Sequence, residues 1–126
     1  MRNFVIQISQ YAKSINPNFV VIPQNGVEVM TINGLTTGVV QQNFMNAIDG
    51  WAQEDLFYGL DNDNVATKSA DTKYLASYLN IAKSYGKKIL ATDYCYDQSK
   101  MKDSYTKHTH TTHTHDTYHL LLKKEV

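Results

Sequence analysis

Three short apolar runs, each closing on polar side chains, constrain this chain more than any other feature. They are Phe19-Val20-Val21-Ile22 before Pro23-Gln24-Asn25-Gly26, Trp51 to Leu56 with Glu54 and Asp55 near its end, and Lys88-Ile89-Leu90-Ala91-Thr92 before Asp93-Tyr94-Cys95. Runs of this length and composition fit parallel strands covered on both faces. A strand that delivers acid at its C-terminal tip is how a barrel enzyme builds its site.

Helical patterns separate the runs. Residues 3–14 place Phe4, Val5, Ile8, Tyr11 and Ala12 at helical spacing, and Asn16-Pro17-Asn18 ends the pattern. Residues 38–47 are weakly helical, with Val40, Phe44 and Ala47 on one side. The clearest helix spans about 70–85, with a stripe of Tyr74, Leu75, Tyr78, Leu79 and Ala82, Ser69 as N-cap and Gly86 just past its end. Helix and strand therefore alternate, which predicts an α/β fold with parallel strands and right-handed crossovers.

Composition sets the outer limits. With 126 residues, one domain is expected, and 42% hydrophobic residues are enough for a core. Lys+Arg and Asp+Glu both number 12, so charge gives no reason to expect nucleic acid or an anionic membrane as partner. A lone cysteine, Cys95, excludes an intramolecular disulfide. No apolar run approaches a membrane span, and Met1-Arg2-Asn3 leads into an amphipathic pattern instead of a signal peptide. The expectation is a soluble chain without an export signal.

After residue 106 the character changes. Lys107 to His119 reads KHTHTTHTHDTYH and holds all 5 histidines. The sequence predicts a body over 1–106 and a low-complexity, disordered His/Thr-rich tail over 107–126. His108/His110 and His113/His115 stand two apart, so an extended chain puts each pair on one side. Adventitious zinc, copper or nickel binding is the most this spacing predicts, and neither metal nor cofactor is assigned. Asp61-Asn62-Asp63-Asn64 fails as a calcium loop, since Ala66 and Thr72 stand where glycine and glutamate are needed. It reads as a solvated turn.

The segments Ile22-Pro23-Gln24-Asn25-Gly26, Ile48 to Tyr58 (IDGWAQEDLFY) and Gly86 to Cys95 (GKKILATDYC) together resemble the second half of glycoside hydrolase family 114, the endo-α-1,4-polygalactosaminidase-like proteins. The resemblance covers roughly residues 1–106. It implies a partial (β/α)8 TIM barrel, with the three runs as strands five to seven. The family's other acid, on strand four, has no counterpart here. The resemblance thus implies hydrolysis of a galactosamine-containing polysaccharide in a full-length form, and an inactive fragment in this one. A catalytically inactive remnant that binds carbohydrate or a partner is the alternative. Full-length relatives are expected outside the cell, and open barrel edges predict self-association.

Under that resemblance Glu54 is the catalytic candidate. It shares a strand face with Ala52, and its expected role is general acid, with the proton retained by burial. Gln24 and Asn25 carry amides suited to sugar hydroxyls. Asp93 is a candidate for a substrate ammonium or hydroxyl, against a structural salt bridge. Tyr58 and Tyr94 are candidates for stacking on sugar rings. Asp55 is expected to point away from Glu54 and to play a structural part.

Overall fold

The structure, a computed structural model, describes residues 1–111 and 117–121 of the chain. Its elements run α1 (Arg2–Ile15), a short 3-10 turn (Val27–Met30), α2 (Gln42–Ala47), β1 (Gly50–Glu54), α3 (Ser69–Ser84), β2 (Lys88–Asp93), α4 (Gln98–Thr111) and β3 (Thr117–Leu121). The three strands form one parallel sheet in the order β1-β2-β3. Gly50 pairs with Lys88 and Glu54 with Thr92, while Ile89 pairs with Thr117. The fold is α/β, as the alternating pattern predicts.

The first apolar run is not a regular strand. It lies parallel beside β1, where Asp49 N donates to Val21 O at 2.9 Å and Ala52 N to Pro23 O at 2.9 Å. Asn25 N completes the bridge by donating to Ala52 O at 3.0 Å. Two local features interrupt the ladder. Pro23 has no N–H to give. Val21 N donates to the Asp49 carboxylate at 2.8 Å instead of to a backbone carbonyl. Asp49 also accepts from Lys13 at 2.8 Å, which ties α1 to this edge.

One face of the sheet carries the core. Trp51, Gln53, Ile89, Ala91 and Asp93 are all buried there. Trp51 meets Phe44 of α2 edge-on, with centroids 6.2 Å apart. Tyr78, Leu79 and Ala82 bring α3 onto the same cluster. Period-2 alternation sends Ala52, Glu54, Leu90 and Thr92 to the other face, where each is only half-buried. Val20 and Ile22, on the neighbouring edge segment, are 59% and 36% exposed.

Local chemistry accounts for the helix ends. Gly86, at φ 71°, closes α3: its N–H bonds Lys83 O at 2.8 Å and Lys87 N bonds Ala82 O at 3.1 Å. This is the Schellman pattern. Ser69 is the first helical residue of α3 and not its cap, because Lys68 occupies that position. In α1, Val5 and Ile6 pack on the core and buried Ser9 donates to Ala47 O of α2 at 2.5 Å. The stripe of Phe4, Ile8 and Tyr11 is on the outside. The seating of α1 thus follows a hydroxyl bond and a lysine–aspartate pair more than its widest apolar stripe.

The boundary expected at residue 106 falls inside α4, which continues to Thr111, and β3 lies within the segment read as tail. His113 and His115 lie outside the described residues. No helix among the described residues is long and apolar enough to cross a membrane.

Candidate functional site

Glu54 ends β1 on the half-buried face, and the chain supplies its carboxylate with donors from both neighbours. Tyr94 OH donates to Oε1 at 2.6 Å, and Asn25 Nδ2 donates to Oε2 at 2.8 Å. Asn25 reaches it because its backbone is left-handed, at φ 57°. Its own carbonyl Oδ1 accepts from Glu54 N at 3.0 Å and from Gln53 Nε2 at 3.1 Å. Gln53 Nε2 also bonds Glu54 O at 2.8 Å. A short network therefore orients the amide that orients the carboxylate.

These donors decide the charge. The bond from Tyr94, then that from Asn25, holds the Glu54 carboxyl below its ordinary 4.5; burial works against them, and Gln24 adds a further hydrogen bond. The sequence expectation is a proton retained by burial; here the hydrogen bonds outweigh burial and favour the ionised carboxylate. The same bond pushes the Tyr94 hydroxyl up to about 12. Tyr94 is thus a clamp on Glu54, whereas the sequence suggested a stacking surface.

Asp93 faces the other way. It is 0% exposed. Oδ1 accepts from Phe57 N at 2.9 Å and Tyr58 N at 3.2 Å. Oδ2 accepts from Ser104 Oγ at 2.5 Å and lies 3.2 Å from His108 Nε2. Burial raises its carboxyl, but His108, Ser104 and the Phe57 amide outweigh burial and hold it below the usual carboxylate range. Asp93 is a brace between the β1 loop and α4, so its predicted contact with substrate is corrected. Pairing of Glu54 with Thr92 already sets Asp93 on the opposite face.

Tyr58 is corrected similarly. It is 7% exposed, and its hydroxyl donates to Asp103 at 2.6 Å. The Lys107 ammonium sits 5.1 Å from its ring and bonds Asp103 at 2.5 Å. This cluster fastens α4. Gln24 stays exposed on the edge segment, bridged to Ala52. The structure therefore brings Gln24, Asn25, Glu54 and Tyr94 together, and leaves Tyr58 and Asp93 behind the sheet.

Three residues matter more than the sequence suggested. Asn64, at φ 65°, is buried inside the turn read as solvated, and its amide donates to Asp97 at 2.9 Å. His108 is buried against Phe57, with ring centroids 4.6 Å apart, so it belongs to the core and not to a metal-binding tail. Among the described residues no group of three or more His, Cys, Asp or Glu is placed to hold a metal. Asp55 is the third. Burial first, then the charges of Glu54, Asp93 and Asp63, push its carboxyl up to about 6. Its left-handed backbone, at φ 58°, carries no glycine signature that a sequence could reveal.

The raised Asp55 carboxyl makes stability depend on pH. A folded value of about 6 lies above the ordinary 3.8, so stability falls as pH rises between them and the loss persists above. Asn tolerates left-handed backbone. Asp55→Asn should therefore stabilise the protein at alkaline pH by about 1 kcal/mol, after allowance for solvent access. Below the ordinary value it should change little. Urea unfolding at both pH values checks this; equal effects at both would contradict it.

A groove of about 650 Å³ between α1 and α2, lined by Asn3, Ser9, Lys13, Asn43 and Asn46 among others, contains none of these residues.

No family model matches the chain. It is 31% identical over 99 residues to an uncharacterized protein of Thermotoga maritima, covering 79% of this chain and 28% of that one. It is 31% identical over 106 residues to an uncharacterized protein of Methanocaldococcus jannaschii, covering 82% of this chain and 28% of that one. The chain thus spans little more than a quarter of the length of these curated relatives.

Proposed function

We propose that this chain carries one wall of a glycoside-hydrolase site in a partial (β/α)8 barrel. Glu54 is its ionised carboxylate, and a galactosamine-containing polysaccharide is the substrate of the longer protein. The observation that carries the reading is a carboxylate at the C-terminal tip of a parallel strand, clamped by Tyr94 and Asn25. Barrel enzymes build their sites at that end of the strands.

Two further observations support it. Consecutive segments lie side by side in sequence order, from 21–25 to β1, β2 and β3, as in a barrel wall. The Ala52, Glu54, Leu90, Thr92 face is half-exposed, although parallel sheets are ordinarily covered on both faces. The relatives have the additional length to cover it.

In glycoside hydrolysis one carboxyl group is an acid and the other works ionised, as base or nucleophile. Glu54, held charged, suits the second role. The exposed Gln24 amide suits sugar hydroxyls, and a carboxylate suits the ammonium of a de-N-acetylated amino sugar. Binding without hydrolysis is a second reading, favoured because protein donors already engage both Glu54 oxygens.

The test is reducing-end release from an α-1,4-linked galactosamine polymer, with polymer binding measured in parallel. The Thermotoga relative should release ends, and Glu54→Gln should weaken polymer binding by this chain about 10-fold, the value of one charge-assisted hydrogen bond. Release by the relative separates hydrolysis from binding alone. Absence of release, with binding indifferent to Glu54→Gln, would remove both readings.

A further inference from the structure

Asp55 stands next to Glu54 in the chain and is held in an unusual way. Its backbone is left-handed at φ 58°, and both of its backbone polar groups are engaged: its N–H donates to Thr92 O at 2.8 Å, and its carbonyl accepts from Thr67 Oγ1 at 2.7 Å. A non-glycine residue there is strained and persists only where its surroundings enforce it. Asp55 Oδ1 is buried without a hydrogen-bond partner among the described residues.

The space for that oxygen is provided by Gly59. A Cβ on Gly59 would stand 2.3 Å from Asp55 Oδ1, and 3.2 Å from both Cβ and Cδ2 of Tyr94. The Asp55 carboxyl, the bare Gly59 backbone and Tyr94 therefore share one small space. Tyr94 is the residue whose hydroxyl clamps Glu54. The charged groups that act on Asp55 are Glu54 on β1, Asp93 at the end of β2 and Asp63 in the following loop, all of one sign. Asp93 is itself tied to His108 of α4.

We propose that Asp55 is a positioning residue for Glu54: held in the space at Gly59 that Tyr94 also borders, its carboxyl acts through Tyr94 and so adjusts the Tyr94–Glu54 clamp with pH. With Asp55 protonated, its buried oxygen carries little charge and the clamp has a single negative partner. With Asp55 ionised, a second negative charge acts on the Tyr94 hydroxyl besides that of Glu54. The inference rests on Glu54 as the site's carboxylate, yet its test uses no substrate, so a hydrolysis assay and this titration can fail separately.

The experiment follows the carbon shifts of the Tyr94 ring and of the Asp55 and Glu54 carboxyls in the full chain, from about pH 3 to 8, the range that brackets carboxyl titration. The Tyr94 ring should show an inflection near the Asp55 midpoint of about 6. Asp55→Asn should abolish that inflection. Glu54→Gln should lower the Asp55 midpoint while leaving it above 3.8, because one charge is gone and burial remains. Glu54→Gln reads the coupling without altering Asp55, so the test survives if Asp55→Asn does not fold. A flat Tyr94 response, an inflection that persists in Asp55→Asn, or an Asp55 midpoint unmoved by Glu54→Gln would each overturn the proposal.

Discussion

Asp93→Ala is expected to destabilise the chain by about 3–5 kcal/mol, the usual cost of breaking a buried charged network from one side. The substitution removes the acceptor for Phe57 N, Tyr58 N and Ser104 Oγ, and the partner of His108. The two amides belong to the loop after β1, and the two side chains belong to α4. One carboxylate thus joins two connections that lie on different sides of β2. Amide exchange should accelerate across α4 before the β1–β2 ladder is affected. Asp93→Asn keeps one acceptor oxygen but sets an NH2 group against the others, so a loss of about 1–3 kcal/mol is expected. Urea unfolding measures both. The pH dependence has the opposite sign to that of Asp55: the Asp93 carboxyl is depressed, so its contribution is present above 3.8 and lost as pH falls through the depressed value. A loss below about 1 kcal/mol for Asp93→Ala would mean that α4 is held elsewhere, within the range of ordinary surface substitutions.

Trp51→Ala is expected to cost a similar amount, about 3–5 kcal/mol, through lost burial and the cavity left behind. Trp51 is 0% exposed and stands between β1 and α2, against Phe44. Trp51→Phe makes a sharper comparison. The indole Nε1 is buried without a hydrogen-bond partner among the described residues. Removing that N–H relieves a desolvation cost and partly offsets the lost ring volume. Trp51→Phe should therefore cost less than half as much as Trp51→Ala in thermal or urea unfolding. Equal costs would show that the indole N–H has a partner.

β2 and α3 were legible in the sequence because each is governed by near neighbours. The run from Lys88 to Asp93 is a strand over the same residues, and of the stripe Tyr74, Leu75, Tyr78, Leu79 and Ala82 the last three are the buried face of α3, with Leu75 partly buried and Tyr74 exposed. The run from Phe19 to Ile22 misled because its irregularity depends on the Asp49 side chain, far along the chain, as well as on Pro23. α4 carried no apolar period: it is held by Ser104, His108 and Met101, and polar bonds to a distant aspartate leave no pattern in hydrophobicity.

The candidate site was half legible for related reasons. Alternation along β1 placed Glu54 beside Ala52 on one face, and the structure has them there. The same alternation, applied across the register, separates Asp93 from Glu54, but that register is known only once the strands are paired. The protonation of Glu54 was not legible. Its donors, Asn25 and Tyr94, lie 29 and 40 residues away in sequence.

Tyr94 and Asn25 hold the Glu54 carboxylate at the end of β1 and favour its ionised form. A carboxyl-carbon titration of Glu54 in the intact chain, repeated in Tyr94→Phe, tests it most directly. The expected midpoint lies below 4.5 and rises when the phenol is removed. A midpoint at or above 4.5, unchanged in Tyr94→Phe, would contradict it.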